Sequence, residues 1–292
     1  MEIDHKIIDV HVHITPLDMV REDVRKVWMS DKYYNDELYT SLVKNPRKLV
    51  ELLDEWNVEW INLISYVAKE VMGFGYEFVE FVGNYAKEYP DKLRPMMSAD
   101  PRDQQAVEKL ETFRSKYGCS WIKLHPVHQL FKPNAYLKEE GELTPLARIY
   151  EWAEGNRIPV TLHTGTSIFP RARIKYGDPL YLDDVATDFP RLKLVIAHGG
   201  RPINSWANTC FFLLRRHRNT YLDISGIPPK SLLTLFPRLN EITERVMFGS
   251  DWYTLGVESI RKNAEDLYSI GLERAAVRKI LHDNAVAIVS PN

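Results

Sequence analysis

Short apolar runs rich in Val, Ile and Leu alternate along this chain with longer segments whose apolar residues recur at helical spacing. Eight runs read as strands: IIDVHVH from Ile7, EWINLISY from Glu59, LRPMMSA from Leu93, SWIKLHP from Ser120, IPVTLHTG from Ile158, LKLVIAHGG from Leu192, TYLDISG from Thr220 and RVMFGSDW from Arg245. Between them EFVEFVGNYAKEY, VEKLETFRSKY, LARIYEWAEG, LDDVATDF and SWANTCFFLLRRH read as helices. Strands that alternate with helices imply parallel pairing through crossover connections. Eight such units in 292 residues predict a single-domain α/β chain, a (β/α)8 TIM barrel over residues 1–292, because that fold takes about 250 residues. An open doubly wound sheet is the competing arrangement, but no glycine-rich phosphate loop follows the first run. The stretch from Pro16 to about Trp56 exceeds a normal βα loop and predicts a helical insertion after strand 1, over the barrel mouth.

Polar residues gather at the C-terminal ends of these strands. His11 and His13 close the first, His125 the fourth, His163 the fifth and His198 the sixth, and Asp251 follows the eighth. In a parallel barrel those ends share one face, where the active sites of this fold are built. Positions two apart on a strand point the same way, so His11 and His13 can reach one ion, with Asp9 one step deeper on that face. An isolated H-x-H is at least as often the wet face of an edge strand. Here Ile7, Ile8, Val10, Val12 and Ile14 make the strand read as buried on both sides, and buried imidazoles need partners. A lone histidine such as His163 or His198 is more often a packed or capping residue, and Asp251 could serve as a helix cap. Four histidines at matching strand ends shift that balance toward a metal site. A divalent cation held by three neutral imidazoles and one carboxylate keeps a net charge of about +1 and acidifies its water to a pKa near 7, as in zinc hydrolases. Mixed nitrogen and oxygen ligation suits Zn best, with Mn, Fe and Co as alternatives.

Lys plus Arg is 38 and Asp plus Glu is 40, a net charge of −2, which leaves no electrostatic footprint for nucleic acid. Cys119 and Cys210 have the spacing of neither a disulfide framework nor a zinc ribbon, so both are expected as buried, reduced thiols. The N-terminus lacks a targeting pattern and no apolar run reaches spanning length, so the expectation is a cytoplasmic protein without membrane contact. Glutamine occurs only at Gln104, Gln105 and Gln129, a weak sign of a thermophilic source.

The ordered set DVHVH, IKLHP, LHTG, AHGG and FGSDW resembles the amidohydrolase superfamily, in particular the amidohydrolase-related branch of aminocarboxymuconate semialdehyde decarboxylase and its hydrolytic relatives. The resemblance runs from Asp9 to Asn284. It implies a distorted (β/α)8 barrel in which His11, His13, His163 and Asp251 hold one divalent ion. It further implies that His198 acts as base or orients the water, and that Asp251 also shuttles a proton. In binuclear relatives a carbamylated lysine on the fourth strand bridges two metals. Lys123 could play that part, with His163 and His198 binding the second ion, but the IKLHP context resembles the mononuclear branch more closely. There Lys123 or His125 would contact substrate. Asn284 matches a structural element of the family.

Arg171, Arg173 and Lys175 follow His163 closely and read either as a solvated basic loop or as a clamp for a substrate carboxylate. Trp252 and Tyr253, next to Asp251, read as pocket wall or as core. Together they point to a small, anionic substrate. Three functions stay open at this point. They are metal-dependent hydrolysis of an amide, ester or lactone; non-oxidative decarboxylation of an unsaturated or aromatic acid; and a non-enzymatic metal-binding barrel. His5, His217 and His282 read as surface or packing residues, and His128 as ambiguous. Relatives are often homodimers, and Phe211–Leu214 could serve an interface or face the barrel.

Overall fold

The computed structural model describes residues 3–254 and 256–290. All eight expected strands form: β1 (Ile7–Val12), β2 (Val58–Leu63), β3 (Leu93–Pro95), β4 (Ile122–Leu124), β5 (Val160–His163), β6 (Leu194–Ala197), β7 (Thr220–Asp223) and β8 (Val246–Met247). Every pairing is parallel, in the orders β1-β2-β3 and β4-β5-β6-β7-β8. Single parallel bridges join the two groups at both seams, Met97 with Ile122 and Val12 with Trp252. The second seam is reinforced where Val10 N–H donates to Phe248 O at 3.0 Å and Asp251 N–H donates to His11 O at 2.9 Å. Chain order and strand order coincide, as a (β/α)8 barrel requires.

The expected insertion is three helices, α1 (Glu22–Met29), α2 (Asp36–Lys44) and α3 (Pro46–Glu55). The last two begin where the sequence supplies a cap. Asn35 Oδ1 accepts from Leu38 N–H at 2.8 Å, Asn45 caps α3, and Pro46 takes the first helical position, where a missing N–H costs nothing. The insertion is fastened to the far end of the chain by Tyr253, whose ring lies 4.8 Å from that of Tyr39 and whose hydroxyl accepts from Asn35 N–H at 3.2 Å.

The crossover helices are α4 (Tyr76–Ala86), α5 (Ala106–Tyr117), a single turn α6 (Pro126–Gln129), α7 (Thr144–Gly155), α8 (Tyr181–Asp188), α9 (Asn204–Arg216) and α10 (Pro229–Leu235). The chain closes with α11 (Ile260–Leu267), α12 (Arg274–Arg278) and α13 (Asn284–Val289). The Asn284 amide donates to Thr243 O and Val246 O, both at 2.7 Å, which ties α13 to β8. In α9 Leu213 and Leu214 are buried against the barrel while Phe212 points outward. Among the described residues Cys119 and Cys210 are buried free thiols, and no helix is long and apolar enough to cross a membrane.

Candidate metal centre and active site

Most strand positions are apolar, and the buried histidines and Asp251 collect toward the C-terminal ends of the strands. His11, His13, Lys123, His125, His163, His198 and Asp251 are all buried and all line one cavity of about 260 Å³. At its floor one donor atom each from His11, His13 and Asp251 lies within 4.8 Å of the others. Nε2 of His13 is 3.2 Å and Nε2 of His11 3.6 Å from Asp251 Oδ1. β1 supplies the two imidazoles and the end of β8 the carboxylate, brought together because these strands meet at the closing seam.

The orientation of His11 comes from β7. Its Nδ1 is 2.5 Å from Asp223 Oδ2 and 3.0 Å from Ser225 Oγ, and Ser225 Oγ also donates to Asp223 Oδ2 at 2.9 Å. With Nδ1–H given to a carboxylate, Nε2 of His11 presents a lone pair to the cavity. That lone pair then faces the Asp251 carboxylate, acceptor against acceptor, an arrangement that a cation between them resolves. Both ring nitrogens of His163 are buried without a hydrogen-bond partner, and such atoms cost energy unless something else satisfies them. His163 stands beside His198, with ring centroids 4.6 Å apart, and outside the tight His11/His13/Asp251 set. The donor set therefore fits a divalent ion.

Burial pushes the pKa of His11, His125, His163 and His198 well below the ordinary imidazole value, with Lys123 adding to the effect. Neutral imidazole is the form that binds metals. Burial acts against ionisation of Asp251, but the hydrogen bond from His13 and the neighbouring Arg201 guanidinium outweigh it and hold the carboxyl well below its usual range. Burial brings Lys123 down to about 8, and its Nζ lies 3.5 Å from Nε2 of His11.

His198 and Asp251 both have φ of +67°, a left-handed conformation that residues with a Cβ rarely adopt. Each is held there by its surroundings. Nδ1 of His198 donates to Ser225 O at 2.9 Å, which leaves Nε2 free, and Asp251 is tied through its N–H to β1. Strain of this kind collects at functional sites.

Other residues fall differently from expectation. Arg171 and Arg173 are exposed and lie outside the cavity lining, because the loop after β5 carries them out over the rim. The guanidinium at the site is that of Arg201, whose Nη2 donates to Asp251 Oδ2 at 3.2 Å. Trp252 is buried away from the cavity, edge-on to Trp56 at 5.0 Å, since the backbone turn at Asp251 directs the next side chain into the core. Trp28 from α1, Tyr66 beyond β2 and Phe169 supply the cavity's aromatic walls instead. Asp9 sits below the floor, its Oδ1 accepting from the His11 and Ser250 N–H groups at 3.0 Å each.

Asp223 and Ser225 obey the strand-end rule that singled out the histidines and could have been found by applying it to TYLDISG. Arg201, Trp28 and Phe169 lie in loops and an insertion that carry no such signal.

A parallel (β/α)8 fold with histidines and an aspartate converging at the C-terminal strand ends defines an enzyme class built around a divalent metal. The chain belongs to the amidohydrolase family, whose model, described as Amidohydrolase, matches residues 8–290. No curated protein gives a significant sequence match. Among solved structures, an uncharacterised TIM-barrel protein from Bordetella bronchiseptica superposes with a TM-score of 0.73 at 21% identity, covering 97% of this chain and 98% of that one. A probable 2-pyrone-4,6-dicarboxylic acid hydrolase from Acinetobacter baumannii with bound citric acid gives 0.68 at 16% identity, covering 97% and 99%. A dihydroxybenzoic acid decarboxylase from Polaromonas sp. JS666, with bound manganese and the inhibitor 2-nitroresorcinol, gives 0.67 at 15% identity, covering 97% and 96%.

Proposed function

We propose that this protein is a metal-dependent hydrolase that opens an amide, ester or lactone bond of a small acidic substrate. The observation that carries the reading is the His11, His13 and Asp251 donor set within 4.8 Å at the floor of the cavity, with His163 unpartnered nearby. These four would hold one divalent ion, with zinc preferred for mixed nitrogen and oxygen donors. When bound, such an ion acidifies water and polarises a carbonyl.

The chain's own groups do the rest. His198, with Nδ1 spent on Ser225 O, offers Nε2 to the reacting centre as base or as hydrogen-bond partner. Asp251 takes the proton from water and passes it to the leaving group, as a carboxylate beside both can do. Arg201 binds the substrate carboxylate, a role supported by its place in the lining and by a buried Nε without a partner. Lys123 and His125 complete the polar wall.

Decarboxylation is the second reading, and the aromatic walls Trp28, Tyr66 and Phe169 favour it, because a flat ring fits between flat rings. The test offers 2-pyrone-4,6-dicarboxylate and 2,6-dihydroxybenzoate to protein loaded with zinc or manganese in isotopically labelled water. Ring opening with one labelled oxygen incorporated and no carbon dioxide is the expected result. Carbon dioxide with no labelled oxygen in the organic product would transfer the assignment to the lyase, and stoichiometric metal with no turnover would leave a binding protein.

A further inference from the structure

Ester or lactone opening at neutral pH liberates one proton, since the acid formed ionises. Decarboxylation consumes one, since the carbon that loses carbon dioxide gains hydrogen. Either way a proton must cross between a buried site and solvent. At the floor, Nδ1 of His11 is committed to Asp223 and Ser225 and Nδ1 of His198 to Ser225 O, so a separate hydrogen-bonded line is better placed to carry that proton.

One hydrogen-bonded line crosses the opposite wall. The Tyr66 hydroxyl is 3.1 Å from Nδ1 of His128, and Nε2 of His128 is 2.8 Å from Ser167 Oγ. All three residues line the cavity. Tyr66 and His128 are buried, Ser167 is half-buried, and its neighbour Ile168 is 68% exposed, so the line starts inside and ends at the rim. The His128 ring is clamped face to face against His125, with centroids 3.5 Å apart and planes 8° apart, and edge-on against Phe169. That clamp keeps both its nitrogens aligned with the two hydroxyls.

We propose that Tyr66, His128 and Ser167 form a proton wire linking the reacting atoms to solvent. The inference rests on the chemistry proposed above for the same cavity. For decarboxylation the Tyr66 O–H proton goes to the substrate carbon, and the electrons of the broken C–CO2 bond form the new C–H bond. Tyr66 oxygen recovers a proton from Nδ1–H of His128, Nε2 takes one from the Ser167 O–H, and Ser167 takes one from water. For hydrolysis the same hops run outward, from the new acid through Tyr66, His128 and Ser167 to water. No charge stays on the wire; each transfer leaves the imidazole in its other tautomer, which a half-turn of the ring about Cβ–Cγ restores between turnovers.

The test compares metal-loaded wild-type protein with His128→Ala and Ser167→Ala on the substrate that the wild type turns over, with 2-nitroresorcinol binding as a separate readout. His128→Ala should lose about 100-fold in kcat, the lower end for a proton-transfer group. It should regain much of that with imidazole added to the assay while binding 2-nitroresorcinol within about twofold of wild type. Ser167→Ala, a smaller change at the rim, should lose several-fold in kcat and show a larger solvent deuterium isotope effect. Unchanged turnover in both variants, or a loss that imidazole does not restore, overturns the wire while leaving the proposed function standing. A wild type inactive on both substrates overturns the two together.

Discussion

Asp223 decides which nitrogen of His11 faces the cavity, although it lines no part of it. A carboxylate on the far nitrogen of a metal-binding imidazole fixes the tautomer and raises its basicity, and losing it costs about 10–100-fold in metal affinity. Asp223→Asn should therefore weaken zinc binding by about that factor in a chelator competition, with the fold retained; an unchanged affinity would remove Asp223 from the metal centre. The roles of His198 and the floor residues separate in the same assay. His198→Asn should keep most of the metal and lose most turnover, whereas His11→Ala and Asp251→Ala should lose both. Metal loss in His198→Asn would instead point to two ions, with Lys123 between them. Residue types at strand ends made the histidines and Asp251 visible in the sequence. Arg201 stayed hidden because an arginine after two glycines looks the same whether it turns inward or outward.

The loops after β5 and β6 touch through glycine. Gly165 has φ of +95°, and a Cβ there would lie 2.3 Å from Arg201 O, closer than any real contact allows. Thr166 N–H donates to Arg201 O at 3.1 Å across the same junction. Gly165→Ala would have to push the His163 loop away from the Arg201 loop, combining backbone strain with overpacking at a cost of about 1–3 kcal/mol. The expected outcome is a Tm lower by several degrees with weakened substrate binding and metal content unchanged; equal Tm and KM would show that the loops do not depend on this contact. The eight strands were legible because strands covered on both faces read as short continuous apolar runs, and the main crossover helices because one-sided burial imposes a period of 3.6. The helices after Pro16 were foreseeable from length alone, but nothing local said that Trp28 would reach the cavity.

The assembled barrel keeps several imbalances that only folding creates. His11, His125, His128, His163 and His198 all have pKa values depressed by burial from the ordinary 6.5. A base with a lower pKa when folded binds fewer protons than in the unfolded chain below about pH 6.5, so stability falls as pH drops through that value and is untouched by these groups well above it. Each such group contributes up to about 1.4 kcal/mol per pH unit. The urea midpoint of metal-free protein should thus drop steeply between about pH 7 and pH 5, and a flat profile would mean that the imidazoles are not buried as described.

Strand order, the insertion, and the histidines with Asp251 were readable without coordinates: the first from the alternation of strands and helices along the chain, the second from the length of the stretch after Pro16, the last from residue types at the strand ends. The pairing of His11 with Asp223, the turn of Arg201 toward Asp251, the retreat of Trp252 into the core and the line from Tyr66 to Ser167 were settled by the tertiary structure. Those relations join segments far apart in the chain, and which side chains meet depends on strand register and on the path of each loop across the barrel mouth.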